Sequence, residues 1–472
     1  MSQSSGTIRT IPKSVKPDLI SVSRANDSAL TSFALALFVL AMGHAIDVND
    51  GSYAPKAMLY LSFGLVFCIV AVVAPRKTPL ENFCRRWLPT LLVGVVLSEA
   101  YFLMRRMHSD AHIALAFGAI AFLGCVQFFK IGSLRAPLLI IMLCAFFIAG
   151  ETAFNRHSKF PGIDVFMFQS DAAWALTHGL NPYSFKYPSV YPPGTPFYGP
   201  GVVDAHGYLT VGFPYPPLSL LLTLPGYLLG NDVRYSHLLA MALSAGLIYV
   251  TRPGRIAALA GAMLLLTPRV IYILDLSFTE PFLVLTFSLF MFCVCRWPRA
   301  MPYVFGLYLS SKQYAVLAVP LLPLLLAGPN HWRMVLNILF KALLVVALIN
   351  LPFFLWNAPA FIRSIVVFQF LQGFRTDAMS YLVLIRKCKP SLTIPLWISL
   401  LPLVFMIPVS VRRAASSPAG FAAAAALVHM LFFSLNKQAF GNYYYFVIAT
   451  ACWSIAVARW GSAAGGEERY SA

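Results

Sequence analysis

The chain has 472 residues, of which 59% are hydrophobic and only 11% are charged, so it is more apolar than a soluble core of this size can bury. The composition excludes an ordinary soluble enzyme and predicts an all-α polytopic membrane protein, because the apolar runs are continuous rather than alternating. The formal net charge of +18 does not indicate a nucleic-acid partner, since the basic residues cluster in short loops and tails, as the positive-inside rule predicts.

Five apolar segments follow a polar N-terminal tail, residues 1–28, which we assign to the cytoplasm. A transmembrane helix needs roughly 20 mostly apolar residues. Segments of this kind are predicted at 29–46, 57–74, 87–104, 111–129 and 136–153. The basic loops 75–86 and 130–135 then lie inside, so the fifth span ends on the extracytoplasmic face. Arg105 and Arg106 are an exception, because this assignment places them outside.

A polar stretch, residues 157–217, follows the fifth span and is predicted to form the first large outer loop. It leads into the apolar segment 216–230, which is short for a crossing and is interrupted by Pro225. If that segment crossed, the next helix would end outside and carry Arg252 and Arg255 with it. We therefore predict that 216–230 is a helix lying at the outer interface.

Nine further spans complete the predicted topology of about fourteen transmembrane helices with both termini cytoplasmic. They are predicted at 233–250, 255–274, 280–296, 301–311, 314–327, 334–355, 391–409, 419–435 and 444–459. This divides the chain into extra N-terminal helices at 29–135, a module at 136–460 and a C-terminal tail at 461–472. The module contains the loop 154–232, which we expect to hold the active site on the extracytoplasmic side.

Asp164 is the first candidate for chemistry. It begins an amphipathic stretch in which Phe166, Phe168 and Trp174 are expected to lie on the membrane. Asp171 lies seven residues further on, so both carboxylates would share one face of a helix. A carboxylate at the lipid–water boundary can act as a general base when its surroundings tune its pKa, although both acids could equally be solvated loop residues.

Several short motifs follow one another in the order found in a known family. They are DVFMFQSDAAWALTHGLNPY (164–183), YPP (215–217), TEP (279–281), FGLYLSSKQYAVLAVPLLPLLL (305–326) and NKQAFGNYYYF (436–446). On these motifs, residues 136–460 resemble the GT-C superfamily of membrane glycosyltransferases, most closely the polyprenyl-phosphate-sugar-dependent mannosyltransferases and their bacterial relatives. In that family the acidic loop follows the first span, whereas here four additional spans precede it.

The resemblance implies an inverting transfer of a sugar, mannose or another hexose or pentose, from a polyprenyl-phosphate carrier to a lipid, glycan or protein hydroxyl. The enzyme would lie in a bacterial inner membrane, and Asp164 matches the position of the family's base. The leaving phosphate needs cations nearby, and three basic residues lie on the predicted outer face. We expect Lys312 and Arg375 to bind it, with Lys437 third, while headgroup anchoring is the alternative for each.

Further candidates belong to the same predicted outer face. The remaining residues assigned to substrate binding are Glu280, Gln313, Tyr183, Tyr215, Tyr443 and Tyr444. Glu280 could orient a sugar hydroxyl, or it could be a carboxylate favoured by the dipole of a helix start. Tyrosines stack on sugars and prenyl chains, but they also form the aromatic belt of any membrane protein. Asp275 and Arg269 are expected to pair, and the acid spacing predicts neither a metal nor another cofactor.

Two other functions use the same kinds of residue. A transporter or flippase of a lipid-linked sugar would also need cations and aromatic side chains facing a cavity, but it predicts broken helices in two matching halves, which the sequence does not contain. A polymerase or ligase of surface polysaccharide would use the same lipid carriers. It would depend on outer-loop arginines and a histidine rather than on Asp164.

Overall fold

The structure is a computed structural model that describes residues 22–23, 26–75, 78–106, 110–129, 131–156, 159–192, 195–327, 331–392 and 395–460. Within these ranges the backbone forms helices joined by turns, with four isolated β-bridges and no strand. The predicted all-α class is therefore confirmed for the described residues. Most of the predicted N-terminal tail and the C-terminal tail 461–472 lie outside them.

The N-terminal third is a set of five helices that follows the predicted spans closely. They are α1 (Ala29–Val48), α2 (Pro55–Val73), α3 (Glu81–Arg106), α4 (Ala111–Val126) and α5 (Arg135–Arg156). Ser28 caps α1 and Asp110 caps α4, each by accepting a backbone hydrogen bond from the first turn. Helix α1 is buried between α2, α3 and the last helix of the chain, so it belongs to the centre of the bundle.

The remaining helices form the rest of the bundle and a lobe with its own core. We call this lobe, which comprises residues 164–230 and 353–371, the outer lobe. The first group is α6 (Asp164–Thr177), α7 (Pro217–Gly230), α8 (Arg234–Thr251), α9 (Arg255–Leu266), α10 (Val270–Asp275), α11 (Glu280–Arg296) and α12 (Met301–Leu309). The second group is α13 (His331–Trp356), α14 (Ala358–Ile362), α15 (Phe368–Leu371), α16 (Tyr381–Cys388), α17 (Leu401–Arg413), α18 (Pro418–Ser434) and α19 (Gly441–Val457). A 3₁₀ helix, Gln313–Leu325, follows α12, and a π-helical turn, Arg363–Val367, joins α14 to α15.

Five helical segments of the described chain are long and apolar enough to cross a membrane, and a sixth is added if the bent pair α7 and α8 counts as one span. The predicted membrane-type helical fold is thus supported, whereas the count of fourteen and the GT-C fold remain predictions. Many of the other apolar helices are shorter than 18 residues because prolines and breaks interrupt them. Most of the predicted crossings are therefore made of broken or short elements.

The helix termini gather at two opposite ends of the bundle, and polar contacts define each end. At the Asp27 end, the Asp27 carboxylate accepts hydrogen bonds from the Arg459 amide (2.8 Å) and from Ser417. Glu81 accepts one from the Ser28 hydroxyl at the start of α1 (2.7 Å). The Arg296 guanidinium donates to the Thr251 carbonyl there. This end therefore joins the starts of α1, α3 and α18 to the ends of α8, α11 and α19.

The Asp50 end accounts for Arg106, one of the two arginines that do not fit the positive-inside rule. Arg106 donates to the Asp47 carboxylate at 3.1 Å and lies 3.7 Å from Asp50, which also pairs with Arg269. The charge of Arg106 is thus neutralised locally rather than exposed to the membrane potential. The prediction that Arg269 pairs with Asp275 was wrong, because Asp275 instead contacts Arg234 across 41 residues (2.7 Å).

The predicted span 255–274 is not one continuous helix. Helix α9 ends at Leu266 and α10 begins only at Val270, because Pro268 has no N–H for the Leu264 carbonyl and Arg269 adopts a left-handed conformation (φ 68°). The Tyr445 hydroxyl donates to the Leu264 carbonyl instead, at 3.1 Å. The predicted continuous helix 255–274 is therefore two helices. At the break between them, a tyrosine from α19 satisfies the carbonyl that has no helical hydrogen bond.

The tip between the predicted spans 301–311 and 314–327 was assigned to the outer face, and in the structure Ser310, Ser311 and Lys312 of this tip are buried. Ser311 is buried and accepts a hydrogen bond from Thr286, which lies well inside α11 (3.1 Å). The chain then returns as a 3₁₀ helix, whose rise of about 2.0 Å per residue makes it about 26 Å long. Its end pairs with the described part of the N-terminal segment, where the Ser23 amide donates to the Leu325 carbonyl.

The outer lobe has its own apolar core, separate from that of the bundle. Met167 and Phe168 of α6 pack there with residues of the loop 178–216, of α7 and of the segment 353–371. The prediction that Phe166 and Phe168 lie on the membrane was wrong, since both are buried, and only Trp174 is exposed. Helix α7 bends away from α8 by 113°, so the two are not one straight helix, and the interfacial position of α7 stays a prediction.

Sidedness can be tested with thiol labelling in a background in which Cys144 and Cys388, both exposed, are replaced by serine. We expect cysteine at the exposed position Ala205 of the outer lobe to react with an impermeant reagent in intact cells. Cysteine at Arg299, at the Asp27 end, should react only after lysis. The reverse pattern would contradict the assigned orientation. Gly199 is unsuitable for this test, because a side chain there would collide with the Leu371 carbonyl.

Candidate functional site

Asp164 lies where the outer lobe meets the bundle, and two tyrosines hold its carboxylate. The Tyr191 hydroxyl donates to Oδ1 and the Tyr198 hydroxyl donates to Oδ2, each at 3.1 Å. Asp164 is the first residue of α6, where a carboxylate is favoured by the helix dipole. The loop folds back over this helix start because Tyr191 packs on Phe197, with ring centroids 4.4 Å apart. Both carboxylate oxygens therefore have a fixed direction.

The surroundings of Asp164 act on its protonation in opposite directions. Burial raises the pKa of its carboxyl, while the hydrogen bonds from Tyr198 and Tyr191 and the positive charge of Arg375 lower it, and the net pKa lies above the ordinary value of an aspartate. A base with a raised pKa accepts a proton more readily than an ordinary carboxylate does. This is the electrostatic setting that a general base for a hydroxyl group requires.

The pKa shift predicts a pH effect of the Tyr198→Phe substitution. A base works only when ionised, so activity should fall as pH decreases through the pKa of Asp164. The phenylalanine removes a hydrogen bond that favours the carboxylate, so the acid limb of the pH profile of kcat/KM should move to higher pH. Thr177→Ser, an exposed change at the far end of α6, should leave the profile in place. An unmoved acid limb in the Tyr198→Phe variant would contradict the assignment of the base.

Asp171, predicted to act together with Asp164, lies on the same helix but apart from it. Seven residues of α-helix separate their Cα atoms by about 10 Å. Asp171 is half-buried, and burial raises the pKa of its carboxyl. Its charge acts on Tyr187 in the outer-lobe core. The structure therefore does not form a carboxylate pair, and only Asp164 faces the tyrosines.

Arg375 has a fixed guanidinium that packs on the same loop segment, 191–198, as the Asp164 carboxylate. Its Nε and Nη2 donate to the two oxygens of Asp377 at 2.9 and 2.6 Å. The rings of Phe197 and Phe440 lie 4.6 and 4.8 Å from its Cζ atom. Burial alone would raise the pKa of Asp377, but the bidentate Arg375 contact outweighs it and lowers this pKa. The guanidinium is thus held by one acid and two rings, as planar recognition of an oxyanion requires.

Lys312 and Glu280 form a buried ion pair below these residues. The Lys312 Nζ lies 3.1 Å from the Glu280 carboxylate and donates to the Thr279 hydroxyl. The Tyr314 hydroxyl donates to the same carboxylate at 2.9 Å. The partner of Glu280, absent from any local sequence pattern, is therefore the lysine predicted to bind phosphate. Both cations have an acidic partner, but Lys312 is buried whereas Arg375 keeps part of its side chain exposed, so Lys312 is the weaker candidate for that role.

Two of the four predicted tyrosines connect the two charged clusters. Lys312 lies 4.7 Å from the centroid of the Tyr215 ring, and Tyr443 packs on Tyr314 with centroids 5.9 Å apart. Tyr215 is within electrostatic reach of both Asp164 and Glu280. Both Tyr215 and Tyr443 keep part of their surface exposed. Both rings thus lie within electrostatic range of the Asp164 carboxylate and of the ion pair.

The other two tyrosines are parts of the packing. Tyr183 is buried in the outer-lobe core and donates to the Tyr215 carbonyl at 2.9 Å. Tyr444 is buried in the bundle and donates to the Met379 carbonyl at 2.6 Å. Neither ring is accessible to a sugar or a prenyl chain, so we leave both out of the proposed substrate site. Tyr183 positions the backbone that carries Tyr215.

Lys437 and Gln313 join chain segments that surround the site. The Lys437 ammonium donates to the carbonyls of Gln369 and Gln372 at 3.1 and 2.6 Å, and burial lowers its pKa. The Gln313 amide donates to the Pro214 carbonyl at 3.1 Å and reaches the Ile365 carbonyl in the π-helical turn. Both contacts fix the loop next to Tyr215 or Arg375. Their predicted contact with substrate stays a prediction.

Sequence reasoning missed several residues that the structure brings to the site. They are Tyr191, Phe197, Tyr198, Thr279, Tyr314, Asp377, Phe440 and Asn442. The aromatic segment 191–198 was a visible signal, since tyrosines among prolines and glycines in a long outer loop indicate an ordered wall. A second signal was the pair of opposite charges at Arg375 and Asp377, only two residues apart. Among the described residues, no three His, Cys, Asp or Glu side chains are close enough to hold a metal ion.

Comparison with known proteins found no match among family models, curated proteins or solved structures. The resemblance to GT-C glycosyltransferases therefore rests on the short motifs alone. The site itself consists of a carboxylate bound by two tyrosines, a guanidinium held by an acid and two rings, and a buried ion pair.

Proposed function

We propose that the protein is an integral membrane glycosyltransferase that moves a sugar from a polyprenyl-phosphate carrier to a hydroxyl acceptor on the extracytoplasmic side. The observation that carries the proposal is that one loop segment contacts both charged groups, since Tyr191 and Tyr198 donate to the Asp164 carboxylate and the Phe197 ring packs on the Arg375 guanidinium. One group can accept a proton and the other can stabilise a phosphate. A transfer from a sugar phosphate to a hydroxyl needs both.

In the proposed reaction, Asp164 accepts the proton of the acceptor hydroxyl as its oxygen attacks the anomeric carbon. The bond between that carbon and the phosphate oxygen breaks on the opposite face, so the configuration inverts and the carrier leaves as a polyprenyl phosphate. The developing charge lies on the phosphate, which Arg375 stabilises. Arg375 is held rigidly by Asp377 and two rings, so it loses little freedom on binding.

Tyr215, Tyr443 and the Lys312–Glu280 pair have supporting roles in this proposal. The two partly exposed rings are suited to pack against a sugar or the first prenyl units. The ion pair lies behind Tyr215 and fixes the ring through the cation. This changes the order expected from the sequence, because Arg375 becomes the first candidate for the carrier phosphate and Lys312 a positioning residue.

The direct test is sugar transfer by the purified protein in liposomes supplied with a panel of radiolabelled polyprenyl-phosphate hexoses and pentoses. Membrane lipids and glycans of cells lacking the protein serve as acceptors, because they contain the unmodified hydroxyl. We expect label to move from one carrier to one acceptor with inversion at the anomeric carbon. Transport of the intact carrier-linked sugar without transfer would instead support the flippase alternative.

The arginine assignment makes a separate prediction. Arg375→Lys keeps the charge but loses the bidentate contact with Asp377 and the double stacking. We expect kcat to fall by about 10- to 100-fold, the range for a misplaced charge-stabilising group. Arg363→Lys is the matched control, since this exposed arginine only donates to Thr210. Equal activity of the two variants would remove Arg375 from the mechanism.

A further inference from the structure

Helix α16 and the residue after it carry three exposed positive charges within four residues. Arg386, Lys387 and Lys389 are all exposed, whereas Leu382 and Val383, one turn earlier in the helix, are buried. The three cations, which we call the basic patch, lie at the Asp50 end of the bundle. Cations at a helix end interact favourably with its dipole, but this effect falls off within one turn and does not require three of them.

The patch is built into the fold rather than carried on a loose segment. The Tyr381 hydroxyl hydrogen-bonds Ser62 of α2 at 2.8 Å and Ser380 caps the helix. Arg386 lies 4.6 Å from the ring centroid of Phe374 and Lys387 lies 4.5 Å from that of Tyr53. The rings thus hold the charged groups of both side chains in place by cation–π contacts, while both residues remain exposed.

Charge and hydrophobicity together indicate what the patch contacts. The nearest acid, Asp377, is already paired with Arg375. Exposed Ile385 and Leu392 flank the cations, so apolar and basic surface alternate as they do on helices that lie in the headgroup layer. In the proposed orientation the patch is extracytoplasmic, where the positive-inside rule disfavours unpaired cations. Such charges are retained there when an anionic partner compensates them.

We propose that the basic patch of α16 is a binding site for an acidic phospholipid of the outer leaflet. The phosphate of the headgroup would contact Arg386, Lys387 and Lys389, and the acyl chains would lie along Ile385 and Leu392. Since α16 follows directly on the segment that carries Arg375 and Asp377, a bound lipid would also stabilise the frame of the candidate site. The proposal does not depend on the reaction proposed above.

Cys388 lies inside the patch and is exposed, so it can carry a local probe. Cys388 is labelled with bimane in a Cys144→Ser background, and the protein is placed in mixed liposomes. The experiment compares quenching of the bimane fluorescence by spin-labelled phosphatidylglycerol with quenching by equally labelled phosphatidylcholine. We expect phosphatidylglycerol to be preferred by at least about fivefold, the selectivity expected when even one cation contributes fully. The preference should disappear in the Arg386→Gln, Lys387→Gln, Lys389→Gln triple variant.

The matched control carries the label at Cys144 on the outside of α5, with Cys388 replaced by serine, and should show no lipid preference. Equal quenching by both lipids at Cys388, or a preference that survives the triple substitution, would overturn the proposal. Unlabelled prenyl monophosphate should compete no better than unlabelled phosphatidylglycerol. Stronger competition would assign the patch to a prenyl phosphate instead and would also overturn it.

Discussion

Asp164→Asn should abolish sugar transfer while leaving the protein folded. A positioned general base contributes about 100- to 10,000-fold to a rate, and the amide cannot accept the proton of the acceptor. The substitution is nearly isosteric, so the asparagine oxygen can still accept one tyrosine hydroxyl and its NH₂ group can donate to the other. Initial rates of transfer in liposomes, together with the thermal unfolding midpoint, measure the two effects separately.

Asp204→Asn is the matched control, because Asp204 is an aspartate of the same loop whose side chain accepts backbone hydrogen bonds from His206 and Tyr208. The asparagine preserves these bonds, so transfer should continue at nearly the original rate. Asp171→Asn distinguishes the two predicted acids. A loss of activity in Asp171→Asn together with an active Asp164→Asn would move the base to Asp171 and refute the mechanism derived from the tyrosine-held carboxylate.

The helices could be predicted from the sequence where one uninterrupted apolar run forms one element. Helices α1, α2 and α13 are of this kind, and their predicted bounds agree with the structure within a few residues. The break between α9 and α10 was missed although Pro268 is visible, because a proline alone does not say whether a helix kinks or stops. The 3₁₀ helix after α12 contains Pro320 and Pro323, which disfavour a regular α-helix, but the prolines do not specify that a 3₁₀ helix takes its place.

The candidate site shows the same division between local and long-range information. Asp164 could be found because it begins a helix in a polar loop between apolar segments. Its partners Tyr191 and Tyr198 lie 27 and 34 residues away, so their contact depends on how the loop folds. Lys312 and Glu280 were chosen as separate ligands. Their pairing across two helices has no sequence signature, because spacing indicates contacts only within one helix or strand.

The buried Lys312–Glu280 pair predicts the largest effect on stability. Lys312→Met leaves the Glu280 carboxylate without its cation in a site that excludes water, and Glu280→Gln leaves the ammonium without its anion. Each single change should destabilise the protein by about 3–5 kcal/mol, whereas the partly exposed Arg156→Gln, which breaks the ion pair with Asp110, should cost at most about 1 kcal/mol. Unfolding of the purified protein in detergent measures these differences.

The double variant Lys312→Met, Glu280→Gln decides whether the two charges act on each other. With neither charge present, no buried ion remains uncompensated, so the double variant should be more stable than either single variant. If the losses of the single variants simply add, the two residues do not interact and the ion pair is not formed in the protein. If the pair positions Tyr215, whose ring contacts Lys312, Tyr215→Phe should slow transfer less in this double variant than it does in the wild type, so the two effects should be less than additive in free energy.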